Sequence, residues 1–218
     1  MAELAFLFDV DNTLLDNDRA KADLAMLVNE LVGPERGARF WEVYEQVREE
    51  VDVVDYPRTL ARFRTLFPDE PYFPDLAARV LGFPYEAYLY SGALKAIAHC
   101  RVLGTVAIVS DGDAVYQAAK IARAGLAGAV DRHVVICLHK ETRFAEILQR
   151  FPAERHVLVD DKPRILAAAK GLLGERLVTL LVRQGHYAAE HHAYPAPDLA
   201  IDAIADLQRL DGADLRIR

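Results

Sequence analysis

The feature that most constrains the fold is a short apolar run that ends in two carboxylates. Residues 4–8 are apolar, and Asp9, Val10 and Asp11 follow them directly. A short apolar run closed by turn-forming residues is typical of a strand buried on both faces, as in a parallel sheet. Open α/β sheets bind ligands outside the carboxyl ends of such strands. We therefore expect Asp9 and Asp11 to lie at a ligand-binding edge.

The residue types that follow this run indicate a chemistry. Asp9 is the last residue carried by the strand, and its ionised carboxylate can be a nucleophile or a ligand of a hard cation. Asp11 points the same way in an extended chain, so it can protonate a leaving group and later deprotonate a water. Thr13 adds a hydroxyl and a backbone N–H at a turn. The alternative is a plain Asx-turn, which Asp and Asn favour.

The chain beyond this stretch predicts a helical part followed by an alternating part. Apolar residues recur at helical spacing between residues 17 and 88, where no strong strand signal occurs. Strands and helices then alternate, which indicates an α/β fold with a doubly wound parallel sheet. The predicted strands cover residues 105–109, 133–138, 156–159 and 178–182, and a last helix is predicted at 202–210.

The helical part begins and breaks at recognisable residues. Asp18 is expected to cap a first helix, and Gly33 with Pro34 is expected to stop it. A second helix is expected from about residue 38 to residue 54. The helical stretch is long for a single crossover, which favours a separate helical unit over a helical layer packed on the sheet.

Polar residues also follow the next two predicted strands of the alternating part. Ser110 and Asp111 close one strand, where a hydroxyl and turn N–H groups can bind a phosphoryl oxygen, although a simple turn is the alternative. Lys140 follows the next strand. A lysine at such a position is more often a solvated loop residue, because lysine is mostly exposed.

Two adjacent carboxylates, Asp160 and Asp161, close a further predicted strand. Adjacent like charges at the end of an apolar strand repel each other unless a positive charge lies nearby. The pair is therefore more typical of a metal site than of packing.

The order of these residues resembles the haloacid dehalogenase-like hydrolase superfamily, most of whose members are magnesium-dependent phosphatases. The resemblance covers residues 6–210 and consists of four motifs. The third motif contains a lysine, and Lys140 is preferred to Lys162 for it because of its place in the order. A fuller fourth motif has another acid where this chain has Ile165, which is a departure from the pattern. The matching residues are, in order, Asp9, Asp11 and Thr13, then Ser110, then Lys140, then Asp160 and Asp161.

The resemblance implies a domain organisation. Residues 1–16 and 89–218 would form the Rossmann-like α/β core of this superfamily, with its doubly wound parallel sheet. Residues 17–88 are similar to the helical cap that part of the superfamily inserts after the first motif.

The resemblance also implies an activity, the Mg²⁺-dependent hydrolysis of a small phosphorylated metabolite through an aspartyl-phosphate. Asp9 would be the nucleophile, Asp11 the general acid and base, and Ser110 and Lys140 would stabilise the phosphoryl oxygens. The phosphate-binding residues implied are Thr13, Ser110, Asp111 and Lys140. Those implied for Mg²⁺ are Asp9, the backbone carbonyl of Asp11, Asp161, and Asp160 either directly or through water.

Three other functions stay open at this point. A haloacid dehalogenase of the superfamily attacks carbon and needs neither metal nor a general acid at the position of Asp11, so Asp11 argues against it. A phosphomutase would share every core residue. A non-catalytic binding or regulatory protein would be expected to have lost at least one core group, and none is missing.

Composition limits the partners. The chain has 218 residues, of which 52% are hydrophobic and 27% charged, and its net charge of −7 argues against nucleic acid or an anionic membrane as partner. Cys100 and Cys137 are expected to be buried free thiols. Neither a signal peptide nor an apolar stretch of membrane-spanning length is recognisable, so a cytoplasmic monomer or homodimer is expected.

A histidine-rich stretch near the C-terminus resembles a metal cluster at first sight. His186, His191 and His192 are spaced by five residues and by one, which is not a recognised zinc pattern. The prediction is a solvated loop.

Overall fold

The centre of the molecule is a six-stranded sheet. The computed structural model describes residues 2–215, without the side chains of residues 188, 191 and 192. All neighbouring strands are parallel, in the order β3-β2-β1-β4-β5-β6. The strands are β1 (Ala2–Phe8), β2 (Gly104–Asp111), β3 (Val134–Cys137), β4 (Ala153–Asp160), β5 (Leu177–Val182) and β6 (Leu199–Ile201). This confirms the predicted α/β class with a doubly wound parallel sheet.

Eight α-helices accompany the sheet within the part of the chain that the structure describes. Short 3-10 helices lie between several of them. No helix among the described residues combines the length and the apolar character that a membrane crossing requires. The helices are α1 (Asn17–Val51), α2 (Tyr56–Leu66), α3 (Phe73–Leu81), α4 (Ala93–Leu103), α5 (Tyr116–Arg123), α6 (Leu126–Ala129), α7 (Phe144–Arg150) and α8 (Pro163–Leu173).

Strand β1 lies between two apolar cores, one on each face of the sheet. Leu4, Phe6 and Phe8 face the core that includes α4, while Ala5 and Leu7 face the core formed with α7 and α8. Each of these five side chains is at most 1% exposed. Because successive side chains of a strand point to opposite faces, a strand covered on both sides must be apolar throughout. The first polar residue, Asp9, therefore marks the end of the strand.

For the helical stretch over residues 17–88, the N-cap residue of the first helix and the point where that helix is interrupted differ from the prediction. Asp16, not Asp18, is the N-cap of α1, and its Oδ1 accepts a 3.0 Å hydrogen bond from the backbone N–H of Arg19. The helical backbone breaks only at Gly33, where φ is 80°, and resumes at Pro34 rather than near residue 38. Proline suits the first turn of a helix because its missing N–H would have no partner there.

The two ends of the helical stretch meet beside the sheet. The backbone N–H of Asp16 donates to the carbonyl of Tyr88 at 2.8 Å, and that of Tyr90 donates to the carbonyl of Leu14 at 3.0 Å. The chain thus leaves and re-enters the sheet region at adjacent points. The division into a core and a cap at residues 16 and 89 stays a prediction.

The C-terminal part contains a strand that the sequence did not predict. Strand β6 has three residues, too few for an alternating pattern, and it pairs with the end of β5 through Val182 and Ile201. The helix predicted at 202–210 is a 3-10 helix over Ile204–Arg209.

Candidate active site

The carboxyl ends of β1, β2 and β4 bring the predicted site residues together. Phe8 of β1 is in register with Ile108 of β2 and Val159 of β4. The backbone N–H of Asp9 donates to the carbonyl of Val159 at 2.9 Å. The chain runs outward in one direction from β1 to β3 and in the other from β4 to β6, so Asp9 lies at the point where the strand order reverses. Such a reversal is where open α/β sheets form their ligand crevice.

Lys140 lies at the centre of this edge. Its Nζ contacts Oδ1 of Asp9 and lies 2.7 Å from Oδ2 of Asp160. None of the three side chains is more than 3% exposed. The backbone N–H of Lys140 donates a 2.8 Å hydrogen bond to Oδ1 of Asp111, which holds the start of the 3-10 turn Lys140–Thr142. Lys140 is therefore not a solvated loop residue, because two carboxylates compensate its buried charge.

The charges of Asp9 and Lys140 stabilise each other. Burial by itself would raise the pKa of Asp9, but Lys140 and then Lys162 bring that pKa below its ordinary value. Burial would likewise lower the pKa of Lys140, yet Asp160 and Asp9 raise it. Asp9 therefore carries its negative charge at neutral pH, as a nucleophile or a metal ligand must.

Lys162, the competing lysine of the sequence, also reaches Asp9. Its Nζ lies 3.5 Å from Oδ2 of Asp9 and 3.4 Å from Oδ1 of Asp161. Burial would lower its pKa, but Asp9, Asp160 and Asp161 raise that pKa well above the ordinary value. The side chain is 28% exposed, in contrast to the fully covered Lys140. Both lysines thus contact the same carboxylate from different sides.

Asp160 and Asp161, the two residues of the fourth motif, form a cluster with Asp9 that is suited to a cation. Carboxylate oxygens of Asp9, Asp160 and Asp161 all lie within 4.8 Å of one another. The pKa of Asp161 is raised to about 8, because burial and then the charges of Asp160 and Asp9 raise it more than Lys162 and Lys140 lower it. Its buried Oδ2 has no hydrogen-bond partner among the described residues. Because carboxylate oxygens are preferred Mg²⁺ ligands, these residues fit the predicted ion.

Asp160 has fewer free acceptor positions than Asp161. Its Oδ1 accepts a 2.9 Å hydrogen bond from the backbone N–H of Lys162, and its Oδ2 lies beside Lys140. Asp161 is therefore the better placed of the pair to bind a cation directly. The role predicted for the backbone carbonyl of Asp11 stays a prediction.

Asp11 is held by two residues of α5 that the sequence did not reveal. Its Oδ1 contacts Nζ of Lys120, which also donates to Oδ1 of Asn17 at 2.8 Å. Its Oδ2 accepts from Nε2 of Gln117 at 3.3 Å, and the same Nε2 donates to Oγ of Ser110 at 2.9 Å. Gln117 and Lys120 are each only 4% exposed. Their spacing of three residues places both on one face of a helix, a weak signal in the sequence.

The remaining predicted residues lie at the same edge. Thr13 is fully buried, and its Oγ1 has no hydrogen-bond partner among the described residues. Asp111 is partly buried and accepts from Lys140, and burial, partly offset by Lys140, raises its pKa. The contacts described above bring the predicted residues other than Thr13 together, while the role of each residue stays a prediction.

A cavity of about 330 Å³ opens above these residues. Helix α1 lines it with Lys21, Tyr44 and Arg48, and Asp11 and Lys162 line it as well. Asp9 does not line this cavity and is only 2% exposed. The nucleophile candidate is therefore buried next to the cavity, 3.5 Å from the lining residue Lys162.

The histidine-rich stretch contributes to the rim of the cavity. Residues His186–Ala193 form a 3-10 helix instead of the predicted loop. Nδ1 of His186 lies 2.8 Å from Oδ1 of Asp18, and its backbone N–H donates to Oδ2 of Asp18 at 3.0 Å. The side chains of His191 and His192 lie outside the described residues.

Three solved structures of similar fold are of proteins described as hydrolases or as a haloacid dehalogenase. A protein from Burkholderia xenovorans LB400, described as a haloacid dehalogenase-like hydrolase, is 39% identical, with 99% of each chain covered and a TM-score of 0.88. The L-2-haloacid dehalogenase of Xanthobacter autotrophicus is 22% identical over 96% of this chain and 98% of its own, with a TM-score of 0.59. The HAD-hydrolase YfnB from Bacillus subtilis, bound to magnesium, is 18% identical over 96% and 98%, with a TM-score of 0.60.

These matches differ in what they establish. The two matches below 25% identity show a shared fold alone. No protein-family model and no curated protein matches the chain. The Burkholderia protein, in contrast, matches at 39% identity over nearly its whole length. In this chain, residues of all four motifs also lie at one edge of the sheet. The chain therefore belongs to the haloacid dehalogenase-like hydrolases.

Proposed function

We propose that this hydrolase cleaves a small phosphomonoester in a Mg²⁺-dependent reaction that proceeds through an aspartyl-phosphate on Asp9. The observation that carries the proposal is the cluster of Asp9, Asp160 and Asp161 beside the buried Lys140, with the second carboxylate, Asp11, at the cavity. Phosphoryl transfer depends mainly on positioning and charge neutralisation, and this arrangement supplies both.

The chain's own groups supply the nucleophile and the general acid and base of the two transfer steps. A carboxylate oxygen of Asp9 attacks phosphorus, and the ester P–O bond breaks as Asp11, which enters this step in its protonated form, gives that proton to the leaving oxygen. Asp11 then takes a proton from water, whose oxygen attacks the phosphorus of the aspartyl-phosphate. The bond to Asp9 breaks, its carboxylate is regenerated, and inorganic phosphate leaves.

In this proposal three groups, from Lys140, Ser110 and Thr13, stabilise the phosphoryl oxygens. The ammonium of Lys140 contacts Asp9, so it lies close to any group bonded to that carboxylate. Oγ of Ser110 accepts a hydrogen bond from Gln117, which leaves the hydroxyl proton free to be donated to a phosphoryl oxygen. The hydroxyl of Thr13, which has no hydrogen-bond partner among the described residues, is a further donor of this kind.

Asp9, Asp161, Asp160 and the backbone carbonyl of Asp11 would hold the Mg²⁺ ion. When bound, the ion supplies positive charge that neutralises the phosphoryl oxygens. A cavity of about 330 Å³ suits a small metabolite. A cytoplasmic location and a monomeric or homodimeric state stay predictions from the sequence.

Haloacid dehalogenation is the second candidate function, because similar folds include the L-2-haloacid dehalogenase of Xanthobacter autotrophicus. Attack on carbon also needs a carboxylate nucleophile, which Asp9 can provide. It needs neither the three-carboxylate cluster nor an acid at Asp11. The phosphatase proposal accounts for both features and is therefore preferred.

The test is hydrolysis of p-nitrophenyl phosphate with Mg²⁺ and with EDTA, beside hydrolysis of 2-chloropropionate. We expect turnover of the phosphate ester that requires the metal and is lost in Asp9→Asn. Asp69→Asn, which changes an exposed carboxylate far from the cluster, is the matched control. Release of chloride without metal, with no phosphatase activity, would instead support the dehalogenase.

A further inference from the structure

We propose that Lys162 is a built-in counter-cation that competes with the metal ion for Asp9 and Asp161, and that it covers the nucleophile from the cavity. The inference deepens the proposed function and rests on it, because it assigns the regulation of metal entry at the same site. It concerns a residue that the four-motif pattern leaves without a role.

The position of Lys162 carries the first step of the inference. Its Nζ lies 3.5 Å from Oδ2 of Asp9 and 3.4 Å from Oδ1 of Asp161. These two residues also belong to the three-carboxylate cluster. An ammonium is a compact charge that satisfies carboxylates much as a small cation does. A second cation between the same carboxylates would be strongly repelled, so the ammonium and a metal ion exclude each other there.

Lys140 and Lys162 differ in their freedom to move. Lys140 has no exposed surface and is held on two sides by Asp9 and Asp160. Lys162 is 28% exposed and borders the cavity, where its Nζ lies 5.6 Å from the centre of the Tyr187 ring. Its backbone is fixed by the N–H bond to Asp160, whereas its side chain is flexible. Lys162 can therefore withdraw, and Lys140 cannot.

The position of Lys162 has a second consequence, because its side chain separates Asp9 from the cavity. The cavity is lined by Lys162 but not by Asp9, whose Oδ2 lies 3.5 Å from the Lys162 ammonium. A phosphorus atom can approach that oxygen only after the ammonium has moved. A side chain that moves toward the cavity stays close to the incoming phosphate, so the same charge that blocked Asp9 then attracts the substrate.

Metal affinity, measured without any substrate, tests the inference. Mn²⁺ alone is titrated into the metal-free full-length protein at fixed pH and followed by its paramagnetic resonance signal. Lys162→Met removes the charge but keeps an unbranched side chain only one atom shorter, and we expect it to bind Mn²⁺ at least about tenfold more tightly than the native protein. Lys162→Arg keeps the charge and should bind as weakly as the native protein.

The matched control is Arg164→Gln, which removes one positive charge two residues away. Its side chain is 54% exposed and pairs with Glu141, so its loss should change Mn²⁺ affinity by less than about twofold. Lys162→Gln repeats the charge removal with a polar side chain in case the Met variant folds poorly, and circular dichroism checks the fold of each variant.

Several outcomes would overturn the inference. They are equal affinity of native and Lys162→Met protein, an equal gain in Arg164→Gln, and no Mn²⁺ binding by any variant. Failure of the proposed function looks different, because it is an absence of phosphatase activity. A protein that hydrolyses phosphate esters with Mg²⁺ but shows no gain in Lys162→Met rejects the inference alone.

Discussion

The ammonium of Lys140 lies 2.7 Å from Oδ2 of Asp160, and neither side chain has any exposed surface. The same ammonium contacts Asp9, so one buried positive charge joins the ends of β1 and β4. A buried charge without a partner is costly, and a site of this kind therefore depends on all three groups being present. Stability and activity are linked through this lysine.

Replacement of Lys140 by Met is expected to lower both the stability and the activity of the protein. Turnover of a phosphate ester should fall about 100- to 1000-fold, because a donor aimed at the developing charge is lost. The free energy of unfolding should fall by about 3–5 kcal/mol, because the buried Asp160 loses its lysine partner and Asp9 keeps only Lys162, at 3.5 Å. Urea unfolding and steady-state kinetics measure the two effects. Lys95→Met, at an exposed position of α4, should change neither.

Gln117→Leu tests whether α5 positions the reacting groups. The variant loses the 2.9 Å bond to Ser110 and the 3.3 Å bond to Asp11, and we expect kcat to fall about tenfold with a smaller change in KM. Gln149→Leu, on the exposed face of α7, is the control. Equal kinetics of the Gln117 variant and the native protein would show that Ser110 and Asp11 do not need this amide.

The arrangement of strand ends was predictable because each strand carries its own signal. An apolar run that stops at Asp9, Ser110 or Asp160 marks a buried strand, and parallel strands bring their carboxyl ends to one edge. Only the pattern within each segment is required for this prediction. The superfamily resemblance rests on the same residues and is confirmed by the match to the Burkholderia protein.

The contacts made by helix faces were not predictable in the same way. Gln117 and Lys120 reach Asp11 only because α5 is rotated toward the cavity, and that rotation depends on packing between distant segments. The burial of Lys140 is a similar case. A single lysine after a strand looks solvated in the sequence, and only its two carboxylate partners, from other strands, make burial possible.

Asp198 is expected to make stability depend on pH. Its Oδ2 accepts from the backbone N–H and the hydroxyl of Thr179 at 2.8 and 2.9 Å, and its Oδ1 lies 3.0 Å from Nζ of Lys170. Burial would raise the pKa of Asp198, but these groups lower it below its ordinary value. The resulting stabilisation is therefore complete above the unfolded-state pKa of about 3.9 and is lost as the pH falls through the folded-state value.

Asp198→Asn should consequently be less stable than the native protein by about 1–2 kcal/mol at pH 7. The difference should shrink when urea unfolding is repeated below about pH 4, where the native carboxylate also becomes protonated. Asp202→Asn is the control, because the side chain of Asp202 is 83% exposed and its ion pair with Arg183 is solvated. A difference that is the same at both pH values would exclude the charge of Asp198 as its source.

Gly185 is expected to control the geometry of the first motif through Asn12. A Cβ on Gly185 would lie 2.4 Å from Cβ of Asn12, and the residue has φ 68° and ψ 172°, which only glycine adopts easily. Asn12 accepts hydrogen bonds at its Oδ1 from the backbone N–H groups of Asn17 and Asp18, at 3.0 and 3.1 Å. A shift of Asn12 would therefore move both the start of α1 and the neighbouring Asp11.

Gly185→Ala and Gly174→Ala together separate backbone strain from this steric effect. Gly174 also has a positive φ, of 58°, but a Cβ there meets nothing within 4 Å, so its variant loses stability through strain alone. We expect Gly185→Ala to be less stable than Gly174→Ala by at least about 1 kcal/mol, since overpacking adds to the strain. Only the Gly185 variant should also lose kcat, because only it displaces Asp11. Equal losses of stability with unchanged kcat in both variants would show that Asn12 can shift without moving Asp11.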